Sequence, residues 1–247
     1  MPIVARRLKA EVFILLALSL GASAVYSVIS LVSKLLSPKG LAGSSENLNP
    51  SASSQFWIDF SYQVAGLALG VAPAALAIYL LLAVSSRKPS EYGLDFKKIG
   101  KDSLKAVILA ASIGVPGIGL YFAARALGLS AQIAASDYKP ALLTVIFMVL
   151  AAVRAGLLEE VIVVAYLLDR LDRLGFKARN SLLISALLRG SYHLYQGFGG
   201  FIGNFIMGIA FGYCYRRWGR VMPLVIAHTI MDCVVFVGYF FIPAGIL

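Results

Sequence analysis

Two adjacent carboxylates, Glu159 and Glu160, lie between apolar runs, Val145 to Leu150 before them and Val161 to Leu168 after. An ionisable side chain at the centre of a membrane-spanning helix costs about 2.5–3.5 kcal/mol on insertion scales, so two in succession need a purpose beyond packing. The only two histidines, His193 and His228, fall in later apolar segments, and Asp232 follows His228 by one helical turn. Residues four apart share a helix face, so the carboxylate of Asp232 either orients the imidazole or joins it in addressing a substrate or ion. A base and two imidazoles inside an apolar wall suit hydrolysis, with a carboxylate activating water. The same residue types also build proton relays and ion sites in carriers.

The elements that position these groups are helices in a membrane. The chain has 247 residues, 60% hydrophobic and only 14% charged, with mean hydropathy +0.84, against about 25% charge in soluble domains. Seven apolar segments recur, Val12–Leu36, Phe60–Val84, Leu104–Leu127, Ala141–Leu168, Ser181–Tyr195, Gly199–Tyr215 and Val221–Ile242. The expected fold is an all-α polytopic membrane helical bundle. Ser37 to Phe56 reads as a flexible external loop and Glu91 to Lys105 as a surface helix. Gly114, Pro116, Gly117 and Gly119 are expected to kink the third span. There is no evident internal repeat. Cys214 and Cys233 share no metal-ligand spacing and read as bland buried thiols. Ala22-Ser23-Ala24 resembles a signal-peptidase site, but the apolar run continues to Val32, so the first span is read as uncleaved.

The net charge of +10 is a membrane-orientation signal rather than a sign of nucleic-acid binding. With the N-terminus cytoplasmic, sixteen of the 22 Lys and Arg residues lie inside, at Arg6 to Lys9, Arg87 and Lys88, Lys97 to Lys105, Arg170 to Arg179 and Arg216 to Arg220. Lys34, Lys39, Arg125 and Lys139 fall outside, and Arg154 and Arg189 fall within spans. This asymmetry sets N-terminus in and C-terminus out.

Counting helical rise from each cytoplasmic end brings the polar residues to one depth. Glu159 and Glu160 come to roughly 15 Å, His193, Asn204 and Asp232 to roughly 18 Å, and His228 to roughly 12 Å. Four helices therefore contribute to one layer. The fifth segment, with Arg189 to His193 in its outer half, is too short and polar to face lipid and must line a cavity. Arg189 lies one turn below His193 and needs an anionic partner, for which Glu159 or Glu160 is nearest in depth.

The order Glu-Glu, His 34 residues on, then His-x-x-x-Asp 35 further resembles the CPBP intramembrane proteases, relatives of type II CAAX prenyl endopeptidases and of bacteriocin-processing or immunity proteins. The family motifs are E-E-x-x-x-R, F-x-x-x-H and H-x-x-x-N/D. Tyr92-Gly93-Leu94 is a faint echo of the segment before the family core. Two positions depart: Val164 stands where the first motif has arginine, and Arg189 where the second has phenylalanine. The departures look coupled, the cation having moved from the glutamate helix to the histidine helix while keeping a partner for Glu160. The rival reading is a decayed site in which Arg189 merely snorkels.

The resemblance implies residues 1–130 as N-terminal transmembrane helices with a surface segment and 137–247 as a four-helix catalytic core, in one integrated membrane domain. It implies Glu159 as the water-activating base assisted by His193. His228 with Asp232 either stabilises the oxyanion or completes a metal site with Glu159 and His193. Glu160, Arg189 and Asn204 have supporting roles, and Tyr192 and Gln196 are candidate contacts. The family is usually labelled metalloprotease, and two histidines with carboxylates suit Zn2+. The implied function is cleavage of a membrane-embedded or membrane-surface peptide, lipidated or not, in a bacterial inner (plasma) membrane, with the lipid bilayer as the other partner. The alternatives are a non-catalytic membrane scaffold or immunity factor, and a proton-coupled transporter. The missing repeat and the concentration of polar residues in the C-terminal half argue against a transporter.

Overall fold

The computed structural model describes residues 2–84, 88–136, 138 and 141–241. Arg87, Lys139 and Ile242, which enter the charge count and the last expected span, lie outside them. Among the described residues ten α-helices run in the order α1 (Pro2–Ala17), α2 (Leu20–Leu36), α3 (Phe56–Gly70), α4 (Ala72–Val84), α5 (Ile99–Ala126), α6 (Leu142–Glu159), α7 (Leu167–Arg173), α8 (Ala178–Ser191), α9 (Phe198–Trp218) and α10 (Met222–Phe236). A seven-residue π-helix, Glu160–Tyr166, joins α6 to α7. The protein is an all-α polytopic membrane bundle. Among the described residues, four helical stretches, Phe56–Ala83, Ile99–Ala126, Leu142–Arg173 and Phe198–Trp218, are long and apolar enough to cross a bilayer, and α1 with α2 makes a fifth if the bent pair is one span. Large apolar side chains such as Phe13, Trp57, Tyr79 and Leu142 are exposed on its flanks, the expected surface of a protein solvated by lipid.

Each expected span is helical, with informative breaks. The first is interrupted at Leu18 and Ser19, where α1 and α2 meet at 52°. Ser19 leaves helical geometry and its hydroxyl returns to the Leu15 carbonyl at 2.6 Å. The second breaks for one residue at Val71, because Pro73 has no amide hydrogen to bond the Leu69 carbonyl. The third stays one helix through Pro116. The fifth segment ends as α-helix at Ser191 and turns through a short 3-10 helix, Leu194–Gln196.

Two expectations are corrected. Residues 37–56 are not simply a flexible loop: they contain strand β1 (Ser45–Asn49), which pairs in parallel with β2 (Gln132–Ser136), from Ser45 opposite Gln132 to Asn49 opposite Ser136. A polar connection satisfies its backbone this way where two chain segments emerge side by side. Residues 91–105 are not one surface helix either. A 3-10 turn, Pro89–Tyr92, stops at Gly93, whose φ of 66° favours glycine, and α5 starts only at Ile99. Tyr92 and Gly93 instead dock on the start of α10, their carbonyls accepting from the amides of Val221 and Met222 at 3.1 and 3.2 Å. Arg220 completes this corner by bridging Asp102 at 2.6 Å and Asp95 at 3.1 Å. That guanidinium holds the Asp95 carboxyl below its ordinary range.

The main core joins both halves of the chain. Leu15, Leu20, Ala74, Ala77 and Leu81 from α1, α2 and α4 pack with Val161, Ile162, Val163 and Tyr166 of the π-helix and with Val225 of α10. A second cluster sets Val164 and Leu168 against Ala106 and Leu109 of α5, Phe211 of α9 and Leu224 of α10. The π-helix is thus buried on every side.

Candidate active site

The wide turn of the π-helix begins at Glu160, so the two glutamates straddle the change of helix type. Such turns recur at functional sites because they re-aim side chains without ending the helix. The Val163 carbonyl accepts a hydrogen bond from the Ser185 hydroxyl of α8 at 2.7 Å. That bond draws α8 against the glutamate helix.

Close helix approach does the rest. Gly156 packs so near α10 that a Cβ there would lie 2.9 Å from the Val225 carbonyl oxygen and 3.4 Å from the His228 Cβ. Gly208 of α9 allows the same against α8, where a Cβ would meet Ala186 Cα at 2.8 Å and Arg189 Cδ at 3.3 Å.

The site has two tiers. The closed tier is Glu160, Arg189 and His228. Glu160 and Arg189 are fully buried, and Arg189 Nη2 donates to Glu160 Oε1 at 2.6 Å. The same oxygen accepts from His228 Nδ1 at 2.7 Å. The Arg189 guanidinium lies over the Phe211 ring at 5.4 Å. Glu160 Oε2 and Arg189 Nε and Nη1 are buried without a hydrogen-bond partner, so the tier is joined through Glu160 Oε1 alone.

The accessible tier is Glu159, His193 and Asp232, each partly exposed. Tyr192 Oη donates to Glu159 Oε2 at 2.7 Å. His193 donates from Nδ1 to the Arg189 carbonyl at 3.0 Å, which leaves Nε2 with its lone pair free in the neutral ring. Asp232 Oδ2 stands 3.5 Å from His228 Nε2, long for a hydrogen bond. Both imidazoles lie within electrostatic reach of Glu159.

The structure therefore brings together Glu159, Glu160, Arg189, His193, His228 and Asp232. It does not bond Asn204 to any of them, since its amide donates to the Gly200 carbonyl one turn back, at 3.0 Å. Gln196 donates to the Tyr195 hydroxyl at 2.9 Å. Arg154, the other arginine within a span, makes a long 3.4 Å contact with the Gly66 carbonyl on α3. Sequence reasoning missed Ser185; the only trace it leaves there is a hydroxyl on the α8 face that carries Arg189.

Carboxylates and imidazoles thus converge inside a polytopic bundle. Residues 141–234, which hold every one of these groups, match the family model of type II CAAX prenyl endopeptidase Rce1-like proteins. The match covers less than half of the chain, and over that segment the protein is similar to this endopeptidase family. No curated protein and no solved structure matches the chain.

The family's metalloprotease label raises the question of a zinc site at Glu159, His193 and His228. Among the described residues no three His, Cys, Asp or Glu side chains are arranged to hold a metal ion. Hydrogen bonds from Nδ1 to Glu160 and to the Arg189 carbonyl leave Nε2 of His228 and of His193 as the nitrogens a metal would use, but as placed they do not converge with Glu159 on one point, so the set does not fit a metal.

Proposed function

We propose that the protein is an intramembrane endopeptidase that hydrolyses a peptide bond in a membrane-associated or lipidated peptide, with Glu159 activating the water. The observation that carries this reading is the division of labour between the paired glutamates. Glu160 is closed off, with Arg189 and His228 both bonded to its Oε1, whereas Glu159 is reachable and uses one oxygen on Tyr192. A carboxylate oriented through one oxygen keeps the other for a water proton.

In the proposed reaction, water oxygen attacks the scissile carbonyl carbon as Glu159 takes a proton. The tetrahedral intermediate collapses, the carbon–nitrogen bond breaks, and the proton passes to the departing amine with the free Nε2 of His193 as relay. In its imidazolium form His228 directs an N–H from Nε2 towards the cavity. Its 3.5 Å separation from Asp232 leaves that donor available to the developing oxyanion. Arg189 in this reading supplies the cation that the family motif places on the glutamate helix. The protein is read as a multi-pass component of a bacterial inner membrane with its N-terminus in the cytoplasm.

The test is cleavage of membrane peptides by purified protein in proteoliposomes, compared with Glu159→Gln and His193→Ala. Each variant is expected to fold and to lose about 10²–10⁴ in rate. Unchanged cleavage in Glu159→Gln refutes the mechanism, and a cellular effect that survives both changes favours a scaffold.

A further inference from the structure

The turn that carries His193 is held from outside the family-matched segment. Along α2 the side chains of Ser27, Leu31 and Lys34 are buried as one stripe facing this turn. Ser27 Oγ donates to the Tyr192 carbonyl at 2.7 Å. Lys34 Nζ donates to the Tyr195 carbonyl and pairs with Glu46 of β1. The carbonyl just before His193 and the one two residues after it are therefore both tied to a helix more than 150 residues earlier in the chain.

These ties answer a specific problem. The α8 helix ends at Ser191, so the carbonyls of its last turn and of the 192–196 turn have lost their helical donors. In a membrane, water does not replace them. From the other side, the Ala131 amide donates to the Gln196 carbonyl at 3.0 Å and the Phe198 amide to the Leu129 carbonyl at 2.8 Å. The His193 ring sits between Tyr192, at 4.7 Å, and Tyr195, stacked at 6.2 Å, and Lys34 Nζ lies 6.0 Å from the Tyr195 ring centre. Moving either tied carbonyl moves a ring packed on the imidazole.

We propose that Ser27 and Lys34 are positioning residues for His193, acting through the Tyr192 and Tyr195 carbonyls, so that the N-terminal helices set the geometry of the histidine in the C-terminal core. The catalytic consequence rests on the hydrolytic reading of His193; the structural consequence does not.

The chain has only two histidines, so protein labelled with 15N-histidine reports both imidazoles separately. Both donate from Nδ1 in the wild type, His193 to a carbonyl and His228 to Glu160. Lys34→Met keeps most of the apolar stem and removes the bonds of Nζ to the Tyr195 carbonyl and to Glu46. It is expected to broaden or abolish the hydrogen-bonded Nδ1–H signal of His193 and leave that of His228 unchanged. Cleavage is expected to lose about tenfold or more in kcat with KM within about twofold. Lys34→Arg is expected to restore signal and rate. Ser27→Ala removes a single neutral tie and is expected to give the same selective change at smaller amplitude. An unaltered His193 signal in Lys34→Met overturns the proposal, and so does equal loss of both signals, which marks general loosening. If the wild type cleaves nothing, the hydrolytic reading fails while the two signals still decide the clamp.

Discussion

Replacing Arg189 by Met removes one partner of a fully buried ion pair and keeps most of the side-chain volume. The guanidinium bonds Glu160 at 2.6 Å with both groups inaccessible, so the carboxylate left behind retains only the His228 imidazole. Breaking a buried pair from one side costs about 3–5 kcal/mol, or roughly two to four orders of magnitude in the folding equilibrium. The Arg189 backbone carbonyl still accepts from His193 in the variant, which confines the change to the closed tier. Adding Glu160→Gln removes the orphaned charge and weakens the His228 hydrogen bond by about 1–2 kcal/mol. The double variant should therefore be more stable than Arg189→Met alone by about 2–3 kcal/mol, a strongly non-additive result. Val164 packs against Phe211, the ring that the guanidinium covers, so Val164→Arg in the Arg189→Met background is expected to recover part of the loss. Reversible unfolding in mixed micelles, followed by the fluorescence of Trp57 and Trp218, measures all four proteins. Arg189→Met within about 0.5 kcal/mol of wild type, or simple additivity in the double variant, refutes the reasoning.

Gly156→Ala is expected to cost about 1–3 kcal/mol and to lower activity further than the stability loss explains, because the new Cβ forces apart the helices bearing Glu159 and His228. Unfolding and cleavage assays on the same preparation check it. Gly93→Ala, at a φ of 66° and with its Cβ only 2.3 Å from Arg220 Cα, should lower the thermal midpoint and undock the 89–94 turn, measured as faster proteolysis there. The Asp95 carboxyl is held by Arg220 below the ordinary aspartate value of 3.8. Its contribution to stability is therefore present above that value and lost as the pH falls through the depressed folded value. Acid unfolding curves should lose that increment in Asp95→Asn, and an unchanged acid limb removes Asp95 from the account.

The convergence of these residues was legible because helical rise is constant, and a buried cation demands an anion. That reasoning placed Arg189 beside the glutamates, and the coupled departures from the motifs pointed to Glu160. The choice of Glu160 depends on the π-helix, and Val161 to Tyr166 is uniformly apolar, without the periodicity that would announce a change of winding. His193 was counted as helical although it lies beyond the end of α8. The outer sheet was illegible because Ser45 to Asn49 is polar and carries no alternation. Lys34 entered the reading as an outside charge. Its spacing from Ser27 and Leu31, a single face of α2, was the available sign that it points inward.

Arg189 and His193 leave the end of α8 within one turn, and the carbonyl of the first accepts from the ring of the second. The cation that neutralises Glu160 and the imidazole that serves Glu159 therefore travel as one body. A displacement of α8 large enough to admit or release a peptide would withdraw both together from the glutamate helix. On the hydrolytic reading, the position of this one helix would then govern both tiers of the site at once.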